Sequence, residues 1–189
     1  FEPIVPCLKW PGARAIRFVF PHAPVRPVTV NGGMQMRAWY DIRGLQIDRD
    51  QDEAGILESI GLASRLVQRE RDRGIEPGRI VVAGFSQGGA IAVQAALRYP
   101  EKLAGVIALS TYLLIEQRLV QERHEANSDL PVFYGHGSSD PVVPPVLGEH
   151  AVDALRGMGH DVEAHTYPMQ HAVCPEEIAH IAGWLQKRL

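Results

Sequence analysis

Five residues, Gly84-Phe85-Ser86-Gln87-Gly88, restrict this chain more than any others, because of what flanks them. The apolar run Ile80-Val81-Val82-Ala83 leads in, and Gly89-Ala90-Ile91-Ala92-Val93 leads out. That succession predicts a strand, a sharp turn and a helix with nothing between them. The turn is tight, so Gly84 and Gly88 leave room for the backbone to double back and Gly89 lets the new helix pack close. A serine held on such a turn presents its hydroxyl for attack on a carbonyl.

The rest of the chain repeats the alternation of short apolar runs and longer amphipathic segments, which predicts an α/β fold with a mostly parallel central sheet and helices on both faces. Strands are expected at Ala15–Phe20, Arg79–Ala83, Leu103–Leu109, Pro131–Tyr134 and Val162–Tyr167. Helices are expected at Asp52–Arg73, Gln87–Arg98, Pro144–Gly157 and Pro175–Leu189. In the first of these, Ile56, Leu57, Ile60, Ala63, Leu66 and Val67 form one apolar stripe on a charged helix. Residues 28–50 show no sustained period and read as a long excursion over the sheet, and 111–128 is mixed, with a charged helical stretch followed by a loop. With 189 residues, the whole of 1–189 is expected to form a single domain.

Composition removes several function classes. Hydrophobic residues make up 46% and charged residues 22%, so the chain is neither disordered nor fibrous. The formal charge is -3, and the densest basic run, Arg65–Arg73, is interleaved with Glu70 and Asp72. It reads as a solvated helix face, and no nucleic-acid partner is expected. No apolar run reaches the roughly 18 residues of a membrane span. Cys7 and Cys174 are expected to stay unpaired in a chain of this size, and the home expected for it is cytoplasmic. No close-spaced ligand pair suggests a metal, and no glycine-rich loop suggests a nucleotide.

A serine hydroxyl attacks only when a base takes its proton, so Ser86 calls for a histidine held by a carboxylate. Asp140 lies in Gly135-His136-Gly137-Ser138-Ser139-Asp140-Pro141, a loop leaving the fourth expected strand. His171 follows the fifth strand through Pro168-Met169-Gln170 and precedes the last helix. Both therefore fall at carboxyl ends of strands, where open α/β sheets keep their sites, in the order Ser, Asp, His. His124, His150 and His180 fall within expected helices, His165 within a strand and His160 in a turn. His136 precedes Asp140 and would break the order. The backbone N–H of Gln87, at the start of its helix, is the expected oxyanion donor, with its side chain left to packing.

These residues resemble the carboxylesterase, lysophospholipase and acyl-protein thioesterase family of α/β-hydrolases, in particular its bacterial carboxylesterase branch. The resemblance rests on Phe20-Pro21-His22-Ala23-Pro24, Val28–Met34 with Trp39-Tyr40-Asp41, the serine turn, Gly135-His136-Gly137 with Asp140-Pro141-Val142-Val143-Pro144, and His171. It assigns the nucleophile to Ser86, the acid to Asp140 and the base to His171. It also implies no cofactor, a homodimer, an acyl channel walled by Val28–Trp39 and Leu113–Leu119, and a small-molecule acyl ester as substrate. The family begins with a strand and a glycine-rich oxyanion loop, so the expectation is an α/β-hydrolase whose N-terminal strands and second oxyanion donor are missing from this chain.

The activity expected is that of a serine carboxylesterase working on short to medium acyl chains, with lysophospholipids as neighbouring substrates. The alternatives are an acyl-protein thioesterase, that is a depalmitoylase, and a catalytically silent binding protein on the same scaffold. Activity on S-acylated protein singles out the first alternative, and failure of Ser86 to react with a fluorophosphonate singles out the second.

Overall fold

The structure is a computed structural model that describes residues 2–8, 15–44, 46 and 50–189. Its centre is a four-stranded sheet in the order β3 (Val81–Phe85), β4 (Gly105–Leu109), β5 (Val132–Gly137), β6 (Val162–Tyr167). Every pairing in it is parallel. A parallel strand must return by a crossover. Those crossovers carry α2 (Gln87–Arg98), α3 (Glu116–Glu122) and α4 (Pro145–Gly157), and α5 (Pro175–Gln186) follows β6.

Alternation along β4 shows how the sheet is covered. Val106 and Ala108 join Ala92, Val93, Ala96 and Leu97 of α2 and Ala151, Val152 and Leu155 of α4 in one core layer. Ile107 and Leu109 point the other way, into a layer with Phe133 of β5 and Ile178, Ile181, Trp184 and Leu185 of α5. The period of two thus feeds two cores, one on each face. Leu8, at the end of a 3₁₀ helix spanning Glu2–Leu8, completes the α5 layer. A third cluster binds α1 (Glu53–Asp72) to α2 through Ile56, Ile60, Ile91 and Ala95. Gly89–Leu97 are all buried, which is why α2 carries so little charge.

The helices expected at 52–73, 87–98, 144–157 and 175–189 are present as Glu53–Asp72, Gln87–Arg98, Pro145–Gly157 and Pro175–Gln186. Asp52 stands just outside α1 and caps it, its carboxylate accepting the Gly55 N–H at 3.2 Å. Other expectations are corrected. Residues 15–24 form no strand, although Ala15–Phe20 has a strand's composition. The proline-rich loop before residue 28 and the excursion over 28–50 contain order of their own: β1 (Val25–Val28) and β2 (Met34–Arg37) pair as an antiparallel hairpin. Gly32 and Gly33, at φ 67° and 74°, turn it. His124 lies beyond the end of α3, where its ring nitrogen accepts the Ala126 N–H. Leu113, Leu114 and Leu119 are buried in the core, so they cannot wall an open channel. No helix among the described residues is long and apolar enough to cross a membrane. Cys7 and Cys174 are free thiols.

Candidate active site

Ser86 sits between β3 and α2 with φ 54° and ψ -124°. That is a strained conformation for a residue with a side chain, and functional turns are where such strain is kept. The surroundings fix it. The Ser86 N–H donates to Leu109 O at 2.8 Å, Ser86 O accepts the Ala90 N–H at 3.1 Å, and the Thr111 hydroxyl donates to the same carbonyl at 2.8 Å. A Cβ on Gly84 would overlap the backbone of Gly88. Gly89 is less tight, with Gly84 O at 2.9 Å and Thr111 Cβ at 3.0 Å from the point a methyl would occupy. Gly88 differs from the sequence-based expectation: its nearest neighbour in that sense is Trp39 Nε1 at 3.6 Å, an ordinary contact.

Gln87 divides its work between backbone and side chain. Its N–H is in the first turn of α2, where amides have no intrahelical partner and point with the helix dipole. Its side chain reaches 47 and 48 residues back in sequence, Oε1 accepting the Trp39 N–H at 3.0 Å and Nε2 donating to Tyr40 O at 3.1 Å. The segment after the β1–β2 hairpin is thereby tied to the residue following Ser86. Ser59 of α1 adds a hydroxyl hydrogen bond to Trp39 O.

Asp140 is buried at the end of the loop leaving β5. Its Oδ1 accepts the N–H groups of Val142 and Val143 at 2.8 and 2.9 Å, while Oδ2 accepts His171 Nδ1–H at 2.7 Å. Burial alone would raise the Asp140 pKa, yet the hydrogen bonds from His171, Val143 and Val142 outweigh it and hold the carboxyl below its ordinary range. With Nδ1–H committed to the carboxylate, His171 Nε2 is left as the proton acceptor. The His171 ring lies 4.6 Å from that of Phe85, the residue before Ser86. The structure thus brings His171 against Asp140 on one side and against the serine turn on the other.

His136 is buried 3.7 Å from Asp140 Oδ2, but its Nε2 is spent on Val143 O at 3.0 Å. It braces the loop that holds the carboxylate. His165 stacks between Phe133 and His180, away from the serine. His150 pairs with Glu116 at 2.6 Å on the surface. Thr111 and Tyr134 escaped the sequence reading: Tyr134 donates its hydroxyl to Thr111 O, and Thr111 in turn supports Ser86 O. Their only sequence signal is position, one after β4 and one within β5. Among the described residues no cluster of three or more His, Cys, Asp or Glu is placed to hold a metal ion.

Comparison with known proteins gives a consistent relationship. The model of the phospholipase/carboxylesterase family matches residues 8–189. Acyl-protein thioesterase 1 of Neurospora crassa is 44% identical over 182 residues, covering 92% of this chain and 74% of that protein. The acyl-protein thioesterase 1 of Cryptococcus neoformans is 41% identical over 199 residues, covering 96% and 84%. Among solved structures, SOBER1 of Arabidopsis thaliana superposes with a TM-score of 0.93 at 28% identity, over 99% of this chain and 90% of that one. Acyl-protein thioesterase 2 of Zea mays gives 0.76 at 29% identity, over 89% and 79%. With a serine turn, parallel sheet and family match that agree over nearly its whole length, the chain belongs to the phospholipase/carboxylesterase family, carboxylic ester hydrolases of the α/β-hydrolase superfamily.

Proposed function

We propose that the chain is a cofactor-free serine hydrolase of acyl thioesters and esters, with acyl-protein thioesters as its principal substrate class. The observation that carries the chemistry is the 2.7 Å Asp140–His171 hydrogen bond beside the strained Ser86 turn. Ser86 Oγ attacks the acyl carbonyl as His171 Nε2 takes its proton. The tetrahedral oxyanion is met by the Gln87 N–H. The intermediate collapses, expelling the thiolate or alkoxide, which receives the proton from His171. Water, deprotonated by the same nitrogen, then releases the acid and restores Ser86. Asp140 keeps the tautomer and stabilises the imidazolium in both halves of the cycle.

Two observations support the thioester emphasis over a specific lysophospholipase or a short-chain esterase. The curated relatives cited above carry the name acyl-protein thioesterase at 41–44% identity. The β1–β2 hairpin, tied to Gln87 through Trp39, exposes Met34 and Met36 on one face, an apolar surface suited to an acyl chain. This replaces the Leu113–Leu119 wall expected from resemblance. The expected homodimer and the one-domain organisation of 1–189 belong to the same proposal. An S-palmitoylated peptide and a soluble p-nitrophenyl ester, assayed side by side, test the substrate class. The thioester is expected to have the higher kcat/KM, and Ser86→Ala is expected to lose both activities; preference for the short ester by the wild type would return the reading to a carboxylesterase.

A further inference from the structure

Glu177 lies in the first turn of α5 with none of its surface exposed, and neither side-chain oxygen has a hydrogen-bond partner among the described residues. A buried carboxyl left unpaired is costly, so its position calls for a reason. It rests on Gly135, midway along β5: a Cβ there would overlap Glu177 Oε1 and lie 3.0 Å from Cδ. Leu109 Cδ2, 3.3 Å from the same point, makes that floor apolar. Two residues on and on the same face, a Cβ on Gly137 would overlap the carbonyl oxygens of Met169 and Gln170. The two glycines of Gly135-His136-Gly137 therefore receive, in turn, the Glu177 carboxyl and the backbone leading to His171.

Hydrogen bonds bind these parts into one seam. Tyr167 O accepts from Ser138 N at 2.8 Å and from Met169 N at 2.7 Å, and Ser139 N donates to Met169 O at 3.1 Å. The Asp140 loop leaves from the top of β5, while the His171 loop runs into α5. Glu177 occupies the place where α5 bears on β5.

We propose that Glu177, in its neutral carboxylic acid form, is a positioning residue that seats the first turn of α5 on Gly135 and thereby holds His171 against Asp140. The proposal rests on the reading of Ser86, Asp140 and His171 as the catalytic set. Burial pushes the Glu177 pKa up to about 7, against the helix dipole, which favours a carboxylate at this end of α5. The titratable groups on the surrounding elements are Tyr167, His165 and Glu163 of β6, Glu176 and His180 of α5, Cys174 at its cap, and Glu2 and Cys7 of the 3₁₀ helix packed on α5, and none of them hydrogen-bonds to it. The His136 side chain, also titratable, projects from the opposite face of β5 toward α4. Once ionised, Glu177 is drawn toward water, lifting the helix turn from Gly135 and loosening the His171–Asp140 contact.

The sign of the linkage follows from a pKa raised in the fold. The neutral form's contribution to stability is complete below the unfolded carboxyl's pKa of about 4.3 and is lost as pH rises through about 7. Wild type and Glu177→Gln are compared from acid to mildly alkaline pH by three readouts: melting temperature, the downfield His171 Nδ1–H proton resonance, and the rate of fluorophosphonate labelling at Ser86. In the wild type, rising pH is expected to lower the melting temperature and broaden the resonance, and to slow labelling by about threefold or more over the 1.5 units above the Glu177 pKa. In Glu177→Gln all three losses are expected to disappear; should that variant not fold, Glu177→Met, which also cannot ionise, carries the same expectation. Identical pH dependence of melting and resonance in wild type and variant overturns the proposal. A wild type that shows both expected changes but never labels at Ser86 upholds the positioning role and overturns the hydrolase reading instead.

Discussion

Each residue of the candidate site is held by groups whose loss has a different cost. Asp140→Asn keeps the shape of the loop but removes the charge that fixes the His171 tautomer, so kcat is expected to fall by about 10⁴ with the fold intact. Steady-state kinetics beside a circular dichroism melt check it. In the wild type, the depressed Asp140 pKa makes its ionised form a stabilising group above the unfolded carboxyl's pKa, and that stability is lost as pH falls through the folded value. The glycines of the turn separate equally clearly. Gly84→Ala forces a methyl into the Gly88 backbone and is expected to abolish soluble, folded protein or cost about 3 kcal/mol or more, whereas Gly88→Ala should cost under about 1 kcal/mol. Denaturant unfolding of the two variants measures the difference. Ser86, Asp140 and His171 are legible in the sequence because strand-end loops and chain order select them. Glu177 is not, since an acid in the first turn of a helix is the ordinary surface choice and only burial on Gly135 makes it unusual.

Elements were readable in proportion to how much of their stability is local. The four longer helices are predicted by apolar periodicity and by local signals such as Gly74 after α1 and Pro175 at the start of α5, which act within a turn or two. Ala15–Phe20 has the composition of a strand but gains no ladder partner among the described residues, and a strand exists only by pairing. The β1–β2 hairpin is the converse. Its strands are four residues each and Pro27 interrupts one, so no alternation shows, although Gly32-Gly33 marks the turn. The link from this hairpin to the site is the Gln87 side chain. Gln87→Ala removes both of its hydrogen bonds to Trp39 and Tyr40 while keeping the backbone N–H, so it is expected to cost about 1–2 kcal/mol of stability and to leave Ser86 reactive. Thermal melts and labelling read the two effects separately.

In the molecule as a whole, the sheet separates two jobs. One face, under α2, α3 and α4, is a near-continuous apolar core; the other, under α5, carries the seam of Gly135, Gly137 and Glu177 that joins the acid loop to the base loop. The carboxyl ends of β3, β5 and β6 lead to Ser86, Asp140 and His171 respectively, so three separate loops meet only because the strands are parallel and in this order. Parallel order was legible in the alternation of runs, but which core layer each helix serves was not, because that depends on crossovers rather than on any local pattern. Everything proposed for activity depends on Ser86 being the group that becomes acylated. Peptide mapping by mass spectrometry after treatment with a fluorophosphonate should place one adduct on the Ser86 peptide in the wild type and none in Ser86→Ala; an adduct on another residue, or no adduct on folded wild-type protein, would contradict it.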